Sequence, residues 1–285
     1  MRKRSRSALR HRFYRHLFLM SLLLLLMMAL PLPVFRVHLV GAGLLQLLLL
    51  AELGQMIPRN EGVNSLQRPR DVRNALLYRI LGITGLASLL IWMFTPAHAV
   101  ATGFPVLVLL TTFVFWSLQR LLRLLGREEV VNRDVIAGAM AGYLLLGVCG
   151  GLLLTVVETL QPGSFQNLIH EGRHIRAEIV PNQTLNRLIW DLDYSRINYF
   201  AFVSLTTVGY GDIVPIKPLA ETASVSLSIV GPMYLALVMG LLISRFTVQT
   251  QIQQELEAED REAQQAERPV LHSAAVQQTP PPRQS

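Results

Sequence analysis

The chain has 285 residues, 51% of them hydrophobic and 16% charged, and 26 basic side chains outnumber 19 acidic ones. A soluble domain carries about 25% charged residues, so this composition and a mean hydropathy of +0.39 exclude an ordinary water-soluble fold and exclude disorder. The single cysteine, Cys149, sits in an apolar run, which excludes a disulfide framework or a thiolate metal cluster. The basic balance reads as membrane orientation rather than nucleic-acid binding.

A bilayer core about 30 Å thick needs about 20 apolar residues in a helix, and six runs qualify as spans: Leu17–Val34, Leu39–Leu53, Ile80–Phe94, Val100–Leu118, Val135–Val157 and Leu219–Ile243. Residues 1–16 form a basic segment with Arg2, Lys3, Arg4, Arg6, Arg10, Arg12 and Arg15, placed in the cytoplasm by the positive-inside rule and able to meet anionic membrane lipids. The first run could be a signal peptide, but it exceeds the usual apolar length and no A-x-A-like site closes it, so a retained helix is expected. Pro31 and Pro33 separate it from the second run, giving a hairpin.

Arg59, Arg68, Arg70, Arg73 and Arg79 follow span two, and Arg120, Arg123, Arg127 and Arg133 follow span four. Both clusters are read as cytoplasmic. The three-then-four spacing of Arg120, Arg123 and Arg127 invites a voltage-sensor reading. Val100 to Gln119 contains no basic residue, however, and a sensor needs charges inside the membrane field. These arginines are read as interfacial anchors, and residues 17–134 as a four-helix membrane region of unknown role.

Between spans five and six, Gln161–Ser195 is a long outer loop. His170 and His174 are four apart, and Asn182-Gln183-Thr184 is a formal glycosylation acceptor. Solvated histidines and a chance pattern are the expected readings. The loop ends in an apolar stretch, Ile197 to Thr206, of about 15 Å if helical, too short to cross, so it is expected to enter and turn back. Directly after it stands Thr207-Val208-Gly209-Tyr210-Gly211-Asp212.

That heptad from Thr206 to Asp212 resembles the filter of the potassium channel pore-loop family, in the six-span form known from prokaryotes. The resemblance is specific over Ile197–Phe246 and weaker over Val135–Glu158. It implies an all-α membrane protein with a re-entrant pore helix and selectivity filter, assembled as a homotetramer because one filter strand cannot surround an ion. The carbonyls of Thr207, Val208, Gly209 and Tyr210 would coordinate K+ in rings, the Thr207 hydroxyl completing the innermost site. Thr206, Gly211 and Asp212 would support the filter, Asp212 being tied to the pore helix by hydrogen bonds. Gly209 and Gly211 would supply left-handed backbone, while Val208 and Tyr210 would pack as braces against the pore helix.

The resemblance further implies passive, potassium-selective conduction with no enzymatic step and no organic cofactor. Where relatives often carry a tryptophan pair this chain has Tyr199 and Phe200, and Val203 stands where a carboxylate can link helix and filter. In span six Pro232 removes a helical hydrogen bond and predicts a kink, and the resemblance implies a gating hinge at Gly231-Pro232. Tolerance of glycine and proline in membrane helices is the alternative.

The pore domain is thus expected over residues 135–246, followed by a polar cytoplasmic tail, 247–285. The tail reads as a short Gln/Glu/Ala-rich helix ending before a Thr-Pro-Pro-Pro stretch. Six spans bring both termini to the cytoplasmic side of a cell membrane, the inner one if the source is bacterial. The rival readings are a non-conducting subunit needing a partner and a voltage-gated channel with a degenerate sensor.

Overall fold

The computed structural model describes residues 2–27, 43–51, 68–94, 103–128, 131–168 and 194–277. They form seven helices and two three-residue strands: α1 (Arg2–Met27), α2 (residues 43–51), α3 (Arg68–Phe94), α4 (Gly103–Leu125), α5 (Arg133–Leu160), β1 (Phe165–Asn167), α6 (Tyr194–Leu205), β2 (Ile213–Pro215) and α7 (Pro218–Gln277). Four candidate membrane spans lie among the described residues: Arg73–Ile91, Phe104–Leu125, Arg133–Leu160 and Pro218–Glu259. The first two expected spans run into residues 28–42 and 52–67, outside the described ones.

Two span positions differ from the expectation. The first candidate starts seven residues before Ile80 and the second ends seven beyond Leu118, so Tyr78 and Arg120 lie within helical stretches long enough to cross. Aliphatic residues interleaved with the charges, such as Leu121 and Leu122, carry α4 onward. At its far end Gly126 donates to the Leu122 carbonyl at 2.9 Å, and the chain turns.

Helix α5 is the organising element. Asn132 caps it, its side-chain oxygen accepting from the Val135 amide at 3.0 Å, and Asp134 complements the helix dipole in the first turn. Its glycines act as sockets. The Tyr14 ring of α1 fills the space at Gly138, the Tyr234 side chain of α7 that at Gly142, and Phe202 and Asn198 of α6 those at Gly147 and Gly151. Small residues let membrane helices approach closely where lipid supplies no hydrophobic drive.

One core therefore joins Phe13, Tyr14 and Leu17 of α1, Leu45 and Leu49 of α2, Tyr78 of α3, Phe113 and Leu121 of α4, and Val135, Ala139 and Leu145 of α5. A second, smaller core gathers Leu154, Phe165, Ile197, Phe200, Ile213 and Leu227 beside α6. Several buried polar groups beside the first core are hydrogen-bonded, while Gln46 Oε1 and Ser21 Oγ have no partner. The Tyr78 hydroxyl donates to the Leu49 carbonyl at 3.1 Å and pairs with Ser117 Oγ at 2.8 Å, and Gln46 Nε2 donates to the Gly82 carbonyl.

Helix α7 runs for 60 residues, whereas a separate tail helix was expected. Composition changes near Thr247, but Gln, Glu and Ala are all good helix formers, so the backbone has no reason to break there. It also passes through Gly231 and Pro232 without interruption.

Candidate functional site

Helix α6, 12 residues long and so about 18 Å, packs between α5 and α7. A helix leaves its last four carbonyls without intrahelical partners, and here the chain that follows takes most of them. The Phe202 carbonyl accepts from the Thr206 amide at 2.9 Å and from Thr206 Oγ1 at 2.7 Å, Ser204 from the Thr207 amide at 3.0 Å, and Val203 from the Val208 amide at 3.0 Å. The amides of residues 206–208 thus face α6.

Thr207, Gly209 and Gly211 have φ of 59°, 57° and 76°, and the intervening Val208 and Tyr210 do not enter the positive-φ region. When opposite backbone hands alternate, successive N–H groups gather on one side of the chain and the carbonyls gather on the other. Alternation of this kind is what a segment needs in order to turn its carbonyl oxygens to one side. Nothing lies within 4 Å of a Cβ built on Gly209 or Gly211. Glycine is needed there for its backbone, and space plays no part. Left-handed φ costs an ordinary L-residue about 1–2 kcal/mol, a cost that Thr207 bears.

The outlet of this segment is tied down. β2 pairs antiparallel with β1, Asn167 opposite Ile213 and Phe165 opposite Pro215, and the Leu168 amide donates to the Asp212 carbonyl at 2.8 Å. β1 in turn hangs from the end of α5. Glu158, fully buried, accepts from the Gly163 and Ser164 amides at 2.7 Å each, one on each carboxylate oxygen. Lys217 Nζ donates to the Pro162 carbonyl at 2.8 Å, closing the same turn from the start of α7. The Tyr199 side chain neighbours that of Asp212, bringing the end of the segment back beside α6.

Gly231 is buried, and a methyl there would overlap the Leu205 carbonyl oxygen at the end of α6. Its place is a crossing point between α7 and α6. Pro232 beside it is exposed. Val208 and Tyr210 are 51% and 71% exposed, so this chain's own α6 does not receive them as braces.

The structure brings together Thr206 through Asp212, α6 and Gly231 as one unit. It adds Glu158, Asn198, Lys217 and the glycines of α5, which sequence reasoning did not single out. The signal for Glu158 was present, a lone acid closing an apolar run just before Pro162-Gly163. His170, His174 and Asn182-Gln183-Thr184 lie outside the described residues.

Residues 177–248 match a family model described as an ion channel. No curated protein and no solved structure matches the chain. The matched stretch takes in α6, the Thr206–Asp212 segment and the first half of α7. It supports an ion-channel family, and together with the long apolar helices it supports a membrane protein.

Proposed function

We propose that this chain is one subunit of a potassium-selective channel that conducts K+ passively, with α6 as a re-entrant pore helix and Thr207, Val208, Gly209 and Tyr210 lining the selectivity filter. The observation that carries the reading is the alternation of positive φ at Thr207, Gly209 and Gly211, with the neighbouring amides engaged by α6. Removing a small cation from water costs on the order of 20 kcal/mol by an idealised Born estimate, and a row of carbonyls can replace its hydration shell.

One row covers one side of an ion. Four copies around an axis close the ring, so the working unit is a homotetramer, and the exposed Val208 and Tyr210 side chains meet neighbouring subunits. The permeant ion is K+, no organic cofactor or enzymatic step takes part, and nucleic acid is no partner. The protein lies in the cell membrane with both termini cytoplasmic. The apolar faces of its helices meet lipid.

Potassium and sodium efflux from reconstituted vesicles, read with ion-selective electrodes, tests this. A potassium efflux that exceeds sodium efflux is expected from the parent, and equal fluxes of the two ions from Gly209→Ala at equal tetramer content. A silent parent tetramer that conducts only with a coexpressed partner would favour the regulatory-subunit reading.

A degenerate voltage sensor draws on a specific contact. The Arg120 guanidinium lies 4.4 Å from the centre of the Tyr78 ring, within a candidate span. Arg123, the other arginine of that span, is exposed and turned back to Gln119 Oε1, so strong voltage gating is not part of the proposal.

A further inference from the structure

Near the middle of α7, well past its crossing with α6, three helices meet at the turn after α4. Arg245 of α7 donates one guanidinium nitrogen to the Gly126 carbonyl at 2.8 Å and another to the Glu128 carbonyl. One helical turn on, Gln249 Oε1 accepts from the Val131 amide at 3.2 Å. The Glu128 carboxylate points the other way, accepting from the Tyr14 hydroxyl of α1 at 2.9 Å in a site where Glu128 is only 6% exposed.

The chemistry of this junction differs from that of the rest of α7. Ala220, Leu227 and Leu242 attach the helix to the cores by apolar contact, Tyr234 adds one hydrogen bond to the Ala139 carbonyl at 2.7 Å, and Leu242 is the last buried apolar residue on it among the described ones. Beyond that point α7 is joined to the turn through the polar bonds of Arg245 and Gln249. Gly126 and Glu128 stand past the end of α4, where backbone carbonyls lack the partners that a helix gives, and a planar guanidinium fork can hold two of them at once. Bonds of this kind are specific in direction and modest in net strength, so the junction can release without unpacking the core.

We propose that Arg245 and Gln249 form a latch that fixes the remote half of α7 to the turn after α4, and that Tyr14, through Glu128, makes α1 part of it. Movement of the first helices in the membrane then reaches the pore-lining helix without requiring gating charges in α4. The proposal rests on the channel reading for its effect on conduction. The latch itself is a property of the fold.

Two readouts on the full-length protein in lipid separate these levels. Amide hydrogen exchange across residues 243–250 is expected to quicken about tenfold in Arg245→Gln, the scale of one hydrogen bond to a charged group, with α5 unchanged and Arg245→Lys intermediate. Tyr14→Phe touches no atom of α7 in the contacts above. It is expected to quicken the same amides severalfold and to add little on top of Arg245→Gln. Unchanged exchange in Arg245→Gln would overturn the latch, and unchanged exchange in Tyr14→Phe, or full additivity, would overturn the link to α1. In single-channel recordings, both variants are expected to shift open probability at constant reversal potential, and an unshifted probability would overturn the role in conduction. Parent tetramers that carry no current would count against the channel reading, while exchange would still decide the latch.

Discussion

Thr207, Gly209 and Gly211 show why single backbone positions matter in this fold. Gly209→Ala forces a Cβ into left-handed backbone at φ 57°, costing about 1–2 kcal/mol per subunit. The expected outcome is a chain that still assembles, with the permeability ratio of potassium over sodium falling towards one. Glu158→Gln replaces an acceptor-only group with an amide that points a donor at a backbone N–H. Losing one hydrogen bond to a charged group costs about 1.5–3 kcal/mol. The tetramer should melt at lower temperature and its current should decay faster during sustained recording, whereas parent-like melting and steady current would remove Glu158 from the support of the filter.

Gly231→Ala tests a revised role. The sequence suggests a hinge, yet the residue lies where α7 crosses the Leu205 carbonyl. Overpacking typically costs about 1–3 kcal/mol. Lower tetramer yield and melting temperature are expected, and a variant that matches its parent in both would return Gly231 to the hinge reading.

At the scale of elements, the short helix and its filter-like sequel are legible because each violates a strong expectation. An apolar run too short to cross a membrane is followed by glycines at alternate positions. The helical spans are legible as well, although α3 and α4 extend past their charged ends, because residues such as Leu121 and Leu122 keep the helix and its packing going. What cannot be read is what depends on partners distant in sequence. Three-residue strands show no periodicity, so β1 and β2 emerge only when Glu158 has folded the turn that aligns them. The Tyr14–Glu128 bond spans 114 positions and leaves no local pattern at all. The role of Gly231 is hard to read for a related reason, since a glycine in a helix looks the same in sequence whether it bends or makes room.

Helix α4 carries its own prediction. A single charge moved through the field gains only about 2.3 kcal/mol per 100 mV, and Arg120 is held over Tyr78. Open probability should therefore vary gently across a range of about 200 mV, and Arg120→Gln should leave that slope unchanged. A steep curve flattened by the substitution would establish a sensor in this region.

At the scale of the whole molecule, α5 divides the labour. One side of it seats α1 and α4, and the other seats α6 and α7, so the first helices and the filter share a single support. In the proposed channel that arrangement would give a route from the peripheral helices to the pore, with the latch midway along α7 and the Gly231 crossing at the level of α6. The account depends on four copies surrounding one ion, and the reversal potential of the purified protein in a planar bilayer tests it most directly, with potassium on one side and sodium on the other. A reversal near the potassium equilibrium potential is the predicted result, and a reversal near zero would contradict it.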